Sequence, residues 1–105
     1  MDKKSVIKVA KKYAKLVIQN IQPIEIILYG SYAKGTARED SDIDIAVVVS
    51  SVINDFLDEA TMLYTLRREI DDRIEPILIV ESNDRSGFLE DVRKTGYTIY
   101  SASSL

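Results

Sequence analysis

Two aspartates, Asp42 and Asp44, stand one residue apart where a polar stretch gives way to the apolar run Ile45-Ala46-Val47-Val48-Val49. On an extended strand, residues i and i+2 point to the same face, with Cβ atoms about 6–7 Å apart. Two carboxylates at that spacing can lean together onto one hard cation. Magnesium takes oxygen ligands at about 2.1 Å and commonly uses one or two carboxylates, waters and substrate phosphates. Ile43, Ile45 and Val47 turn the opposite way, toward a core. Acids entering an apolar strand repel one another and resist desolvation, so they need a compensating cation or a solvated strand end. Taken alone, the pair serves equally to flank a loop-to-strand junction.

Gly30-Ser31 is the second chemical feature. It follows the β-branched stretch Ile24 to Tyr29 and opens a short helical segment that closes at Gly35. A strand–turn–helix entry leaves free backbone amides that suit a phosphate, and glycine brings no Cβ into the approach. Ser31 adds a hydroxyl donor; Lys34 and Arg38 offer positive charge to a polyphosphate. Alone, a Gly-Ser pair is an ordinary tight turn. It is neither a Walker A loop nor a G-x-G-x-x-G dinucleotide turn.

Composition narrows the chemistry. The 105 residues include no cysteine and no histidine, which excludes disulfides, thiolate or imidazole metal ligands, and the Ser-His-Asp and Cys-His mechanisms. Carboxylate, hydroxyl and ammonium groups remain. With 46% hydrophobic and 30% charged residues the chain reads as one globular domain spanning 1–105. Its net charge of −3 is uneven: residues 1–15 carry +5, the rest −8. The basic start reads as a solvated helix face. The acidic body repels phosphate backbones, so nucleic acid is not an expected partner. No apolar run is long enough to span a bilayer and no secretory core follows Met1, so a cytoplasmic location is expected.

The elements that must position these groups follow from periodicity. Val6, Ala10, Tyr13, Val17 and Ile21 form one helical stripe, capped by Asp2 or Ser5 and ended by Pro23. Strands are expected at 24–29, 42–49 and 74–80, with Pro76 marking an edge or early position. Between the last two lies a long helix capped by Asn54, with Phe56, Leu57, Ala60, Leu63, Tyr64, Arg67 and Ile70 on its inward side and rim. Tyr64, like Tyr13, fits the core stripe with its hydroxyl reaching the rim, and Arg67-Arg68 read as surface pairs; Glu39 and Asp40 solvate their loop. A final helix starts at Asp84 and closes at Gly96 as a left-handed cap. Tyr97 to Tyr100 adds a short extended segment and Ser101 to Leu105 a loose tail. The alternation predicts an α/β (α+β) fold with a small mixed sheet and helices mainly on one face.

Together, Gly30-Ser31, Lys34-Gly35, a polar loop, and Ser41-Asp42-Ile43-Asp44 before a hydrophobic strand resemble the nucleotidyltransferase superfamily that includes DNA polymerase β. Within it, this pattern and the order of helices and strands resemble the minimal nucleotidyltransferases, the small stand-alone MNT subunits. The resemblance implies a polymerase β-like fold, ATP or another nucleoside triphosphate as donor, and transfer of a nucleoside monophosphate to a hydroxyl. It implies Mg2+ on Asp42, Asp44 and a third carboxylate, which are also the catalytic set. Glu75 is the only acid inside the third strand and the candidate for that place, although the family usually has aspartate there. Gly30, Ser31, Lys34, Arg38 and Ser41 would contact the nucleotide. The family further implies a HEPN-domain partner in a toxin–antitoxin pair, and leaves homo- or hetero-oligomers open. A binding module that neutralises its partner by contact alone is the alternative, with Glu75 as the discriminating residue.

Overall fold

The computed structural model describes residues 2–84 and 86–104. Helix α1 spans Lys3–Ile18, with Asp2 accepting the Ser5 N–H at 2.8 Å. Its buried residues are Val6, Ala10, Tyr13, Ala14 and Val17, the expected stripe. Strand β1 (Glu25–Tyr29), helix α2 (Ser31–Lys34), β2 (Ile43–Val49), α3 (Phe56–Arg67), β3 (Ile74–Val80), α4 (Phe88–Thr95) and β4 (Tyr97–Ser101) follow.

The sheet order is β3-β2-β1-β4. Strand β1 runs antiparallel to β2 and β4, while β2 and β3 are parallel, a pairing that requires the long crossover α3 supplies. Alternation divides the side chains between two layers. Ile26, Leu28, Ile43, Ile45, Val47, Ile74 and Leu78 pack with α1 and α3 in the main core. Ile27, Ala46, Val48 and Ile79 turn the other way and are covered by Leu89 and Val92 of α4. Tyr13 locks α1 to α3 by donating to the Leu63 carbonyl at 2.8 Å; burial raises its hydroxyl pKa. This is the small mixed sheet predicted, with its helices mainly on one face.

Four local expectations are corrected. The cap of α3 is Asp55, whose carboxylate accepts the Leu57 N–H at 2.9 Å, not Asn54. Leu63 is buried, and Ala60 and Ile70 pack against the core, as expected, but Phe56, Leu57 and Tyr64 are exposed and Leu66 is buried in addition. Gly96 has φ −85° and ψ 172°, extended rather than left-handed. A Cβ there would lie 2.5 Å from Ile27 Cγ2, so close packing is what its glycine serves. Ser101 belongs to β4, and Ala102 N–H donates to the Ile24 carbonyl at 3.0 Å, so the segment is tied down; Leu105 lies outside the described residues. Pro76 does sit on an edge strand. The Ile74 carbonyl points to the free edge, where Arg67 takes it, and two residues on Pro76 turns its missing N–H the same way.

Candidate active site

Asp44 pairs across β1 with Tyr29 and across β3 with Glu75. The three side chains therefore form one row on the α4 face, where β1 ends and β2 and β3 begin. Asp42 precedes β2 and is exposed; Asp44 is half-buried. Phe88 of α4 meets the Tyr29 ring edge-on at 5.7 Å and flanks the row.

The turn after β1 is tied to this row. Gly30 has φ 73° and ψ −148°, a backbone region essentially reserved for glycine. A Cβ at Gly30 would lie 2.3 Å from Asp44 Oδ2. The space that the sequence assigns to an approaching phosphate is thus occupied at this atom by Asp44's own carboxylate. Helix α2 begins immediately after and ends at Gly35 in the left-handed conformation, with Thr36 N–H on the Ser31 carbonyl at 2.9 Å. The Ser41 hydroxyl accepts the Arg38 N–H at 2.8 Å and closes the loop between the motif's halves. Tyr32 anchors that loop from the core, its hydroxyl donating to the Arg38 carbonyl at 3.4 Å. Gly30, Asp42, Asp44 and Glu75 are brought together; Ser31 sits at the start of α2, and Lys34 and Arg38 are exposed, with no ion pair to the acids among the described residues.

Electrostatics single out Asp44. Burial, then the charges of Asp42 and Glu75, raise its pKa above the usual carboxylate value. Burial first, then Asp44, Tyr64 and Glu75, push the Tyr29 hydroxyl up to about 12. Asp42 and Asp44 take no part in the ion pairs among the described residues.

Glu75 is different. The Tyr64 hydroxyl donates to its Oε2 at 3.1 Å, and Arg67 Nη1 lies 3.5 Å from Oε1. The same Nη1 donates to the carbonyls of Asp72 at 2.8 Å and Ile74 at 2.9 Å, and the guanidinium sits 5.0 Å from the Tyr64 ring centroid. Sequence reasoning missed both residues, having placed Tyr64 in the core and Arg67 on the surface. The available signal was their i,i+3 spacing, which sets them side by side on one helix rim.

The oxygen-only donor set fits a hard cation rather than a soft one, and such a cation would relieve both the burial and the neighbouring charges that raise Asp44's pKa. Among the described residues no three His, Cys, Asp or Glu side chains gather closely enough to hold a metal by themselves. Asp42 and Asp44 fit the role with waters and phosphates as remaining ligands; Glu75 is turned to its α3 partners.

The family model described as Polymerase beta, Nucleotidyltransferase matches residues 11–105. The chain belongs to this nucleotidyltransferase family. A nucleotidyltransferase-assigned protein from Sulfolobus solfataricus superposes with a TM-score of 0.69 at 20% identity, covering 96% of this chain and 85% of that one. The complex of a tri-AMPylated Shewanella oneidensis HEPN toxin with an MNT antitoxin gives a TM-score of 0.57 at 22% identity, over 91% and 72% of the two chains. Both likenesses establish the nucleotidyltransferase fold. Among curated relatives, the protein adenylyltransferase MntA of Shewanella oneidensis is 43% identical over 44 residues, 41% of this chain and 32% of that protein. The match spans about a third of that relative's length. No helix among the described residues is long and apolar enough to cross a membrane.

Proposed function

We propose that this nucleotidyltransferase is an MNT-type protein adenylyltransferase that moves AMP from ATP to a hydroxyl side chain of a HEPN-domain partner and so acts as its antitoxin, in the cytoplasm. The observation that carries the reading is the contact between the motif's two halves, Asp44's carboxylate lying against Gly30. That contact sets Asp44 directly beside the Gly30-Ser31 turn and supports reading the two as one site. The 43% identity to MntA and the AMPylated HEPN toxin held by a structural neighbour support the donor and the acceptor.

Asp42 and Asp44 would hold Mg2+, which when bound neutralises charge on the triphosphate and on the leaving pyrophosphate. The amides and hydroxyl at Gly30-Ser31 bind the β and γ phosphates, with Lys34, Arg38 and the Ser41 loop lending charge and shape around them. Glu75 accepts the proton of the acceptor hydroxyl as its oxygen bonds to the α-phosphorus. The bond from that phosphorus to the bridging oxygen breaks, and pyrophosphate leaves with the electron pair.

The hold of Tyr64 and Arg67 on Glu75 favours a second reading, a module that binds nucleotide and silences its partner by contact. One experiment separates them. The protein is mixed with ATP, Mg2+ and the HEPN-type protein encoded beside it, and the partner is weighed intact. Successive additions of AMP by wild type, and none by Asp42→Asn/Asp44→Asn, are expected. An unmodified yet silenced partner would establish the contact-only module.

A further inference from the structure

The sheet register places Glu75 in the row with Asp44, but its carboxylate is gripped from outside the sheet. Strand β3 is an edge, so residues of α3 can reach round it to the α4 face. Tyr64 and Arg67 do so from successive turns. Arg67 is itself fixed, with Nη1 on the Ile74 carbonyl of the β3 edge and on the Asp72 carbonyl of the turn before it, and its guanidinium against the Tyr64 ring. Glu75 Oε2 thus accepts the Tyr64 hydroxyl, while Oε1 faces, at 3.5 Å, the positive charge of an Nη1 whose two hydrogens serve the Asp72 and Ile74 carbonyls. The arrangement also accounts for glutamate in a place where the superfamily usually carries aspartate. An aspartate carboxylate would stop one carbon–carbon bond short, about 1.5 Å, and would miss both donors.

We propose that Tyr64 and Arg67 are positioning residues that fix the carboxylate of Glu75 for the transfer step, and that the glutamate at 75 is the length their grip requires. This rests on the transferase reading above. Neither residue touches the nucleotide; both act through Glu75. Contacts from α3 narrow the orientations open to the carboxylate, and an acid that meets the acceptor hydroxyl only in the transition state gains most from that order. The effect should therefore appear in kcat and not in nucleotide affinity.

The test is a double-mutant cycle on the intact protein with its HEPN-type partner, ATP and Mg2+. Tyr64→Phe and Arg67→Met are made alone and on a Glu75→Gln background, and Arg67→Lys and Glu75→Asp are added. Each variant is read by AMP transfer rate, ATP dissociation constant, and urea unfolding midpoint. Tyr64→Phe should lower kcat several-fold and Arg67→Met at least as much, with ATP affinity unchanged and partial rescue by Arg67→Lys. On the Glu75→Gln background neither substitution should lower kcat further, because residues acting through a third lose their effect once it is gone. Glu75→Asp should fall toward the rate of Glu75→Gln. Multiplicative losses, wild-type rates in Tyr64→Phe and Arg67→Met, or a fully active Glu75→Asp would each overturn the proposal while the transferase reading stands. A wild type that transfers nothing would overturn that reading and with it the positioning role. The unfolding midpoints then decide separately whether the grip exists: shifts that do not add between Tyr64 and Glu75 establish it, and additive shifts refute it.

Discussion

The α4 face of the sheet carries acids at both ends, and the two ends treat charge in opposite ways. At one end Glu25 of β1 and Glu81, just past β3, share the single guanidinium of Arg93. Its Nε lies 2.7 Å from Glu25, its Nη2 lies 2.6 Å from Glu81, and Nη2 makes a second contact with Glu25. Hydrogen bonds to Glu81 and then Glu25 raise the Arg93 pKa; the cation comes from within the chain. At the other end Asp42 and Asp44 stand outside the ion pairs of the described residues, and Asp44 is pushed toward protonation by burial and by its neighbours. Arg67 reaches only Glu75 of that end; under the proposed function, a bound cation would answer the charge of Asp42 and Asp44. Both ends gather acids and both hold an arginine, but of these acids only Asp42 and Asp44 are left outside the ion pairs of the described residues.

The sharpest way to break the comparison is to neutralise one member at each end. Glu75→Gln should slow AMP transfer by about 10²–10⁴-fold, the usual contribution of a general base, with ATP binding unchanged by calorimetry. Arg93→Met should transfer at the wild-type rate. Equal losses in the two would show that the ends do not differ in function.

The two positive-φ glycines of the motif sharpen it next. Gly30→Ala must adopt a glycine-only conformation and displace the Asp44 carboxylate. It should cost about 2–3 kcal/mol in urea unfolding, the upper part of the range for such strain. Gly35→Ala meets nothing within 4 Å and should cost about 1 kcal/mol for the left-handed conformation alone. Equal costs would mean that Asp44 does not press on the turn.

A smaller effect appears in pH. Because Asp44's folded pKa is raised, its favourable contribution is fully present below the unfolded value of about 3.9 and is lost as pH rises through the folded pKa. Without divalent metal, Asp44→Asn should match wild-type thermal stability near pH 3 and exceed it progressively toward neutral pH. A gap constant with pH would remove the electrostatic account. The smallest effect belongs to the closed end. Arg93→Met should lower stability by no more than about 1 kcal/mol, as for partly exposed ion pairs, and added salt should shrink the difference.

Local rules carried much of this structure. Helical spacing found the buried stripe of α1, and β-branched runs found β1, β2 and β3, because those signals depend on neighbours in sequence. The start of α3 was misjudged for a related reason. Phe56, Leu57, Ala60, Leu63 and Tyr64 crowd more apolar surface onto the helix than one stripe can bury, and periodicity does not say which part stays outside. Packing against α1 and β3 chose Leu63 and Leu66.

The site divides along the same line. The sequence by itself determined the chemistry: no histidine or cysteine, two acids at strand spacing, and a glycine turn before a short helix, all matters of residue type and local geometry. Only the tertiary structure decided that Asp44 lies against Gly30, that the parallel pairing of β2 with β3 sets Glu75 beside Asp44, and that Tyr64 and Arg67 reach Glu75 around a free edge. Those contacts join residues far apart in the chain, and they depend on strand order and on which side of the sheet each helix crosses. Such choices are made by burying the whole apolar surface at once, so no local stretch of sequence contains them.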